Sequence, residues 1–91
     1  MIKIQRSVTV INKLGLHARA SAQLVKLAGT FNSNIWLTLD HQTANGKNIM
    51  ELMMLAASQG SKIVVTAEGT DAANAVADIE TLFVDRFGET E

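Results

Sequence analysis

Lys62-Ile63-Val64-Val65-Thr66-Ala67-Glu68, followed by Gly69-Thr70-Asp71 and the run from Ala72 to Phe87, changes its hydrophobic period in mid-course. In the first part Ile63, Val65 and Ala67 alternate with Lys62, Val64, Thr66 and Glu68, the period of two that marks a strand with one covered face. In the second part Ala72, Ala75, Val76, Ile79, Leu82, Phe83 and Phe87 recur at helical spacing, with Thr70 placed to cap the helix and Gly88 to end it. Strand and helix each carry a single apolar face, and laying one on the other hides both.

The same logic extends towards the N-terminus. Gly60 precedes the strand just described, and before it a helix is expected from about Asn48 to Ala57, with Ile49, Leu52, Met53 and Ala56 facing the core. Met50, Met54 and Leu55 fall off that stripe and leave an apolar excess on a short helix. Gly46 separates it from a short strand, Gln42 to Asn45, which the turn Asp40-His41 joins to a strand from Asn34 to Leu39. In that strand Ile35, Leu37 and Leu39 face one way and Trp36 the other. From Ala18 to Ala28 the pattern is helical, Ala20, Leu24, Leu27 and Ala28 opposing Arg19, Gln23 and Lys26, with Gly29 as a C-terminal cap. Asn12-Lys13-Leu14-Gly15 is a turn. Before it Ile2, Ile4, Val8 and Val10 alternate with polar residues in a first strand, Arg6 being the exception on its apolar face. The order is β-α-β-β-α-β-α. An α+β fold follows, with a four-stranded sheet covered by all three helices on one face and Lys3, Gln5, Thr9, Thr38, Thr66 and Glu68 meeting water on the other.

The chain has 91 residues, 47% hydrophobic and 19% charged, which suits one domain spanning 1–91 with a modest core. Cysteine is absent, so disulfides and zinc-thiolate centres are excluded, and two histidines with scattered acids do not suggest a metal site. Met1 to Arg6 alternates like a strand, unlike a charged leader followed by an apolar stretch, and no apolar run nears the roughly 20 residues that span a bilayer. The expectation is a soluble cytoplasmic domain without membrane insertion. A net charge of −1 conceals an asymmetry: Lys3, Arg6, Lys13, Arg19 and Lys26 stand in the first 39 residues without an acid. Asp71, Asp78, Glu80, Asp85, Glu89 and Glu91 crowd the end with only Arg86 against them. The basic half should meet something negative, and the acidic tail reads as a solvated helix face. Nucleic acid fits poorly, because the bases form no run and only Trp36 and the three phenylalanines are aromatic.

Chemistry concentrates in Gly15-Leu16-His17-Ala18-Arg19-Ala20-Ser21. His17 falls where a turn becomes a helix, beside backbone N–H groups that lack internal partners and carry the positive end of the helix dipole. Such an end holds anions. An imidazole there can act as nucleophile and carry a phosphoryl group on one ring nitrogen, with the amides of Ala18 and Arg19 and the Arg19 guanidinium donating to its oxygens. No metal or cofactor is called for. Spacing alone also allows an ordinary surface or capping histidine, so a second signal is needed. His41, in its turn after Asp40, has neither a helix start nor an arginine and reads as a surface residue.

Gly15-Leu16-His17-Ala18-Arg19 resembles the active-site signature of the HPr/NPr family, histidine phosphocarriers of the bacterial phosphoenolpyruvate-dependent phosphotransferase system. Lys47-Asn48-Ile49-Met50-Glu51-Leu52-Met53 resembles that family's regulatory-site helix, and length and element order agree along essentially the whole chain. The resemblance implies an open-faced β-sandwich, a histidine (His17) phosphorylated at Nδ1 by Enzyme I, an arginine (Arg19) that steadies the phosphate, and onward transfer to an Enzyme IIA domain. It also implies docking through the second helix, for which Ile49, Met50 and Met53 match, with Lys26 and Lys47 among the basic residues around them; a small carrier that meets two partners through one face is expected to work as a monomer. Two departures stand out. Ala20 replaces the family's usual proline, which would stiffen the helix start. Asn48 stands where many members carry a kinase-controlled serine, and asparagine cannot accept phosphate, so no kinase control is expected there. Two rivals remain: a small hydrolase of the acylphosphatase kind, similar in size and order, and an interaction domain that keeps the fold without cycling phosphate. The first would turn over an acyl phosphate unaided.

Overall fold

Strand β4, Lys62–Glu68, is central: it pairs antiparallel with β1 (Lys3–Thr9) on one side and with β2 (Asn34–Leu39) on the other. β3 (Gln42–Asn45) adds to the far side of β2 through a two-residue turn, so the sheet order is β1-β4-β2-β3. The computed structural model describes residues 2–91, and Met1, with which the expected domain begins, lies outside the described residues. The helices are α1 (Ala18–Ala28), α2 (Ile49–Met54) and α3 (Ala72–Val84), followed by a short 3₁₀ turn over Arg86–Gly88. The expected βαββαβα order and four-stranded antiparallel sheet are both present.

Alternation along the strands sorts the two faces as the period of two requires. Val8, Ile63, Val65, Ala67, Ile35, Leu37 and Ala44 form the buried face and meet Ala20, Leu24 and Ala28 of α1, Leu52 of α2, and Ala75, Val76, Ile79 and Phe83 of α3 in one core. Val10 stays in register beyond the end of β1 because it bonds Ser61 and Gly60 across the turn. On the open face Lys3, Gln5, Trp36, Thr38 and Thr43 line a shallow depression. Thr66 is buried there between its neighbours, its hydroxyl accepting from Gln5 Nε2 at 3.2 Å. Arg6, the exception in β1, escapes burial at the sheet edge by reaching Glu80 of α3 at 2.8 Å. An exposed pair of this kind contributes little, about 0–1 kcal/mol. Among the described residues no helix is long and apolar enough to cross a membrane.

Three helix ends differ from expectation. α2 stops at Met54 instead of continuing to Ala57, because Ala56 turns into the left-handed region (φ 52°). Leu55 thereby rotates into the core, while Ile49 is half-buried and Met53 and Ala56 stand outside it; the buried pair is Leu52 and Leu55. Asn48 does cap this helix, its side-chain oxygen accepting from Glu51 N at 3.1 Å. Gly29 closes α1 as expected, but with right-handed φ, so its lack of a side chain is not what ends the helix. α3 begins after Asp71, and Thr70 does not cap it; it ends at Val84, and Arg86 and Phe87 (φ 55° and 54°) swing the chain back so that Phe87 reaches the core outside the helix.

Asp71 has other partners. Its carboxylate accepts from the amides of Asn32 (2.8 Å) and Ser33 (2.9 Å) and from the Ser33 hydroxyl, tying the loop before β2 to the start of α3. The Ser33 hydroxyl first, then the Asn32 amide, hold the Asp71 carboxyl below the usual aspartate value of 3.8. A value lowered on folding adds stability that is complete above that usual value and is lost as pH falls through the lowered one. Asp71→Asn should therefore be less stable than the parent at neutral pH, and the gap should close in urea titrations carried into strong acid. An unchanged gap across that range would remove Asp71 as a folding contact.

Candidate functional site

His17 is the residue immediately before α1, with extended backbone (φ −74°, ψ −178°), and α1 starts at Ala18. No side chain caps this helix start. Ala18 and Arg19, whose amides are the first of the helix, are exposed beside the half-buried His17 ring. The positive end of the α1 dipole and the Arg19 guanidinium border the same open cavity of about 610 Å³, together with Lys13, Leu14, Glu89 and Thr90. A doubly charged oxyanion suits such a place.

The loop that carries His17 is clamped from several sides. Leu16 is buried, its N–H donates to Ala57 O at 2.9 Å, and its carbonyl accepts from the buried Ser21 hydroxyl at 3.1 Å. Gly15 has φ +65°, and Asn12 Nδ2 donates to its carbonyl at 2.9 Å. A Cβ at Gly15 would lie 2.3 Å from Ala57 O and 3.0 Å from Ser58 Cα. Both objections are to backbone, which cannot rotate aside. Gly15→Ala should accordingly cost about 2–4 kcal/mol, combining the left-handed penalty with a forced shift of the loop. Urea unfolding measures it; a cost under about 1 kcal/mol would mean the loop yields freely.

Glu89, placed by the sequence on a solvated helix face, is instead folded onto the site. Its Oε2 lies 2.5 Å from His17 Nε2, and its Oε1 accepts from Asn12 Nδ2 at 3.1 Å. The side chain is only 13% exposed. Burial pushes its carboxyl up, but the hydrogen bonds from His17 and Asn12, with the Arg19 guanidinium nearby, outweigh it and hold Glu89 below its usual range. Asn12 is fully buried, and its Oδ1 has no partner. Neither residue stands out in the sequence. Seventy-two positions separate Glu89 from His17, and no spacing rule links a tail acid to a helix start.

The remaining candidates are less closely grouped. Met50, Met53 and Met54 of α2 are 65%, 39% and 72% exposed, an apolar cluster on a helix packed against α1, with Ile49 half-buried beside them. Lys47 is exposed and donates to Phe31 O at 2.8 Å, across the entry to α2. Lys26 sits in the last turn of α1, nine residues and roughly 13 Å along the axis from His17, and does not line the cavity. His41 is exposed in the β2–β3 turn with no site around it. Among the described residues no three His, Cys, Asp or Glu side chains group as metal ligands.

Comparison with known proteins agrees with this geometry. Residues 4–85 match the family model PTS-HPr, described as the PTS HPr component phosphorylation site. The chain is 44% identical over 88 residues to phosphocarrier protein HPr of Neisseria meningitidis serogroup B, covering 97% of this chain and 99% of that one. It is 46% identical over 88 residues to phosphocarrier protein HPr of Cupriavidus necator, with the same coverage. The crystal structure of HPr-C-His from Thermoanaerobacter tengcongensis superposes with a TM-score of 0.91 at 37% identity, over 100% of both chains. With its open-faced sheet, its histidine at the mouth of α1 and this likeness along nearly its full length, the chain belongs to the HPr family of phosphotransferase-system phosphocarriers.

Proposed function

We propose that His17 is the residue that carries the phosphoryl group, receiving it from phosphorylated Enzyme I and passing it to an Enzyme IIA-type protein. The Nδ1 lone pair attacks phosphorus, the bond between phosphorus and the donor's carrying atom breaks, and its electron pair returns to the donor. The amides of Ala18 and Arg19 and the Arg19 guanidinium hold the phosphoryl oxygens, and neither metal nor cofactor takes part. The protein is a carrier between catalysts and not a stand-alone enzyme. Residues 1–91 act as one cytoplasmic domain and as a monomer, whose docking face is built from Ile49, Met50 and Met53 with Lys26 and Lys47 around them. Asn48 caps α2 and offers no hydroxyl for control by a kinase.

The observation that carries this proposal is the position of His17 at the uncapped start of α1, in a cavity with Arg19, within a chain of the HPr family. The test is direct. With phosphoenolpyruvate, magnesium and Enzyme I, intact-mass measurement should find one acid-labile phosphoryl group per chain. No gain of mass under those conditions would overturn it.

A further inference from the structure

We infer that Glu89, held in place by Asn12, is a positioning residue for phosphoryl transfer: it keeps the proton of the His17 ring on Nε2, leaves Nδ1 free to attack, and stays on that N–H while the phosphoryl group is aboard. The inference rests on the reading of His17 as the carrier and adds to it a role for the C-terminal segment.

The argument starts from the donor inventory. Glu89 is below its usual range and so ionised at neutral pH, and an ionised carboxylate only accepts hydrogen bonds. Across 2.5 Å the ring must therefore be the donor, which puts the proton on Nε2. A neutral imidazole has one proton, so Nδ1 is then bare, and it has no hydrogen-bond partner among the described residues. Both carboxylate oxygens are engaged, Oε2 by His17 and Oε1 by Asn12 Nδ2, whose second proton goes to Gly15 O. Asn12 is fully buried and cannot drift, so the carboxylate is aimed.

Charge adds a second reason. When Nδ1 bonds phosphorus while Nε2 keeps its proton, the ring becomes a cation. Glu89 balances that cation where it forms, as the buried carboxylate of a Ser-His-Asp triad does for its imidazolium. On transfer onward the N–P bond breaks, its pair returns to Nδ1, and no proton has moved in either direction.

The tail is also built to arrive there. Two non-glycine residues, Arg86 and Phe87, adopt left-handed φ, a conformation that costs energy and persists only when its surroundings impose it. Phe87 is buried against Phe83, Glu89 N donates to Arg86 O, and Lys13 N donates to Glu91 O, so the segment is fastened on both sides of Glu89.

The test combines NMR with labelling. With the ring in its neutral form, ¹⁵N shifts of the wild-type protein should show the Nε2–H tautomer dominant, with a strongly downfield N–H proton that persists after phosphorylation. Glu89→Ala and Glu89→Gln should still accept the label at His17, but with mixed tautomers and transfer slowed on the order of tenfold. That is well short of the ~10⁴ lost from a triad whose aspartate is replaced, because this ring is 28% exposed and water can substitute in part. Unchanged tautomers and rates in both variants would overturn the inference and leave the carrier reading intact. Failure of the wild type to take label would instead remove the carrier reading. If the variants fold poorly, the wild-type spectrum decides: a ring proton on Nδ1, or no downfield signal, rejects the role.

Discussion

His17→Ala should take up no phosphoryl group at all from phosphoenolpyruvate and Enzyme I, while remaining folded. The loss is total because the bond to phosphorus is made by a nitrogen of that ring, and no other imidazole lines the cavity at the mouth of α1. His41 is no substitute, being exposed in the β2–β3 turn without an arginine or helix start. The fold should survive because the ring is half-buried and caps nothing; its one partner, Glu89, keeps its bond to Asn12. A stability loss of about 1–3 kcal/mol is expected, because Glu89 Oε2 is left without its donor. Arg19→Ala sharpens the experiment: exposed and unpaired in any salt bridge among the described residues, it should fold normally and still label at His17, roughly 10–100-fold more slowly. Label recovered on His17→Ala would place the carrier site elsewhere.

The largest effect on stability is expected from Phe83→Ala. Phe83 is fully buried, and its ring packs edge-on against Phe87 with centroids 4.9 Å apart and planes at 63°. Truncation removes the transfer energy of the ring, leaves a cavity, and breaks the aromatic pair, together about 3–5 kcal/mol. A chain of this length has on the order of 5–14 kcal/mol of net stability, so a large share would go, and the melting temperature should fall by roughly 15–30 °C. Met54→Ala, at an exposed position of α2, should change stability by no more than about 0.5 kcal/mol and serves as the control. A Phe83 variant that melts near the parent would mean that the α3 end of the core repacks. Because Phe87 loses its partner in this variant, the tail that delivers Glu89 should loosen as well, and the His17 ring signal should respond with it.

The strands and α1 are legible in the sequence, because their signals are local. Alternation over Asn34 to Leu39 and Lys62 to Glu68 is a period that only a half-covered strand satisfies, and the observed bounds agree. His17 was legible for a similar reason: a turn, a helix start and an arginine two residues on are neighbours in the chain. Helix ends were less so. α2 could follow its apolar period to Ala57, but the chain must deliver the Ala57 carbonyl to Leu16, and Ala56 turns left-handed to do it. Thr70 carries the local signal for a cap, yet the loop at Asn32 and Ser33 draws Asp71 into a different bond, and α3 starts after it. In each case a partner distant in sequence outweighed a preference of about 1 kcal/mol or less.

The amino-acid sequence by itself determined the order of elements, which face of each is apolar, and the histidine at the start of α1, since periodicity and capping act between residues a few positions apart. Tertiary structure alone decided which nitrogen of that histidine is held and by what. The partner is Glu89, brought from the far end of the chain by the left-handed turn at Arg86 and Phe87 and aimed by buried Asn12. A hydrogen bond across seventy-two residues depends on how the core folds the tail back, and no local pattern encodes that.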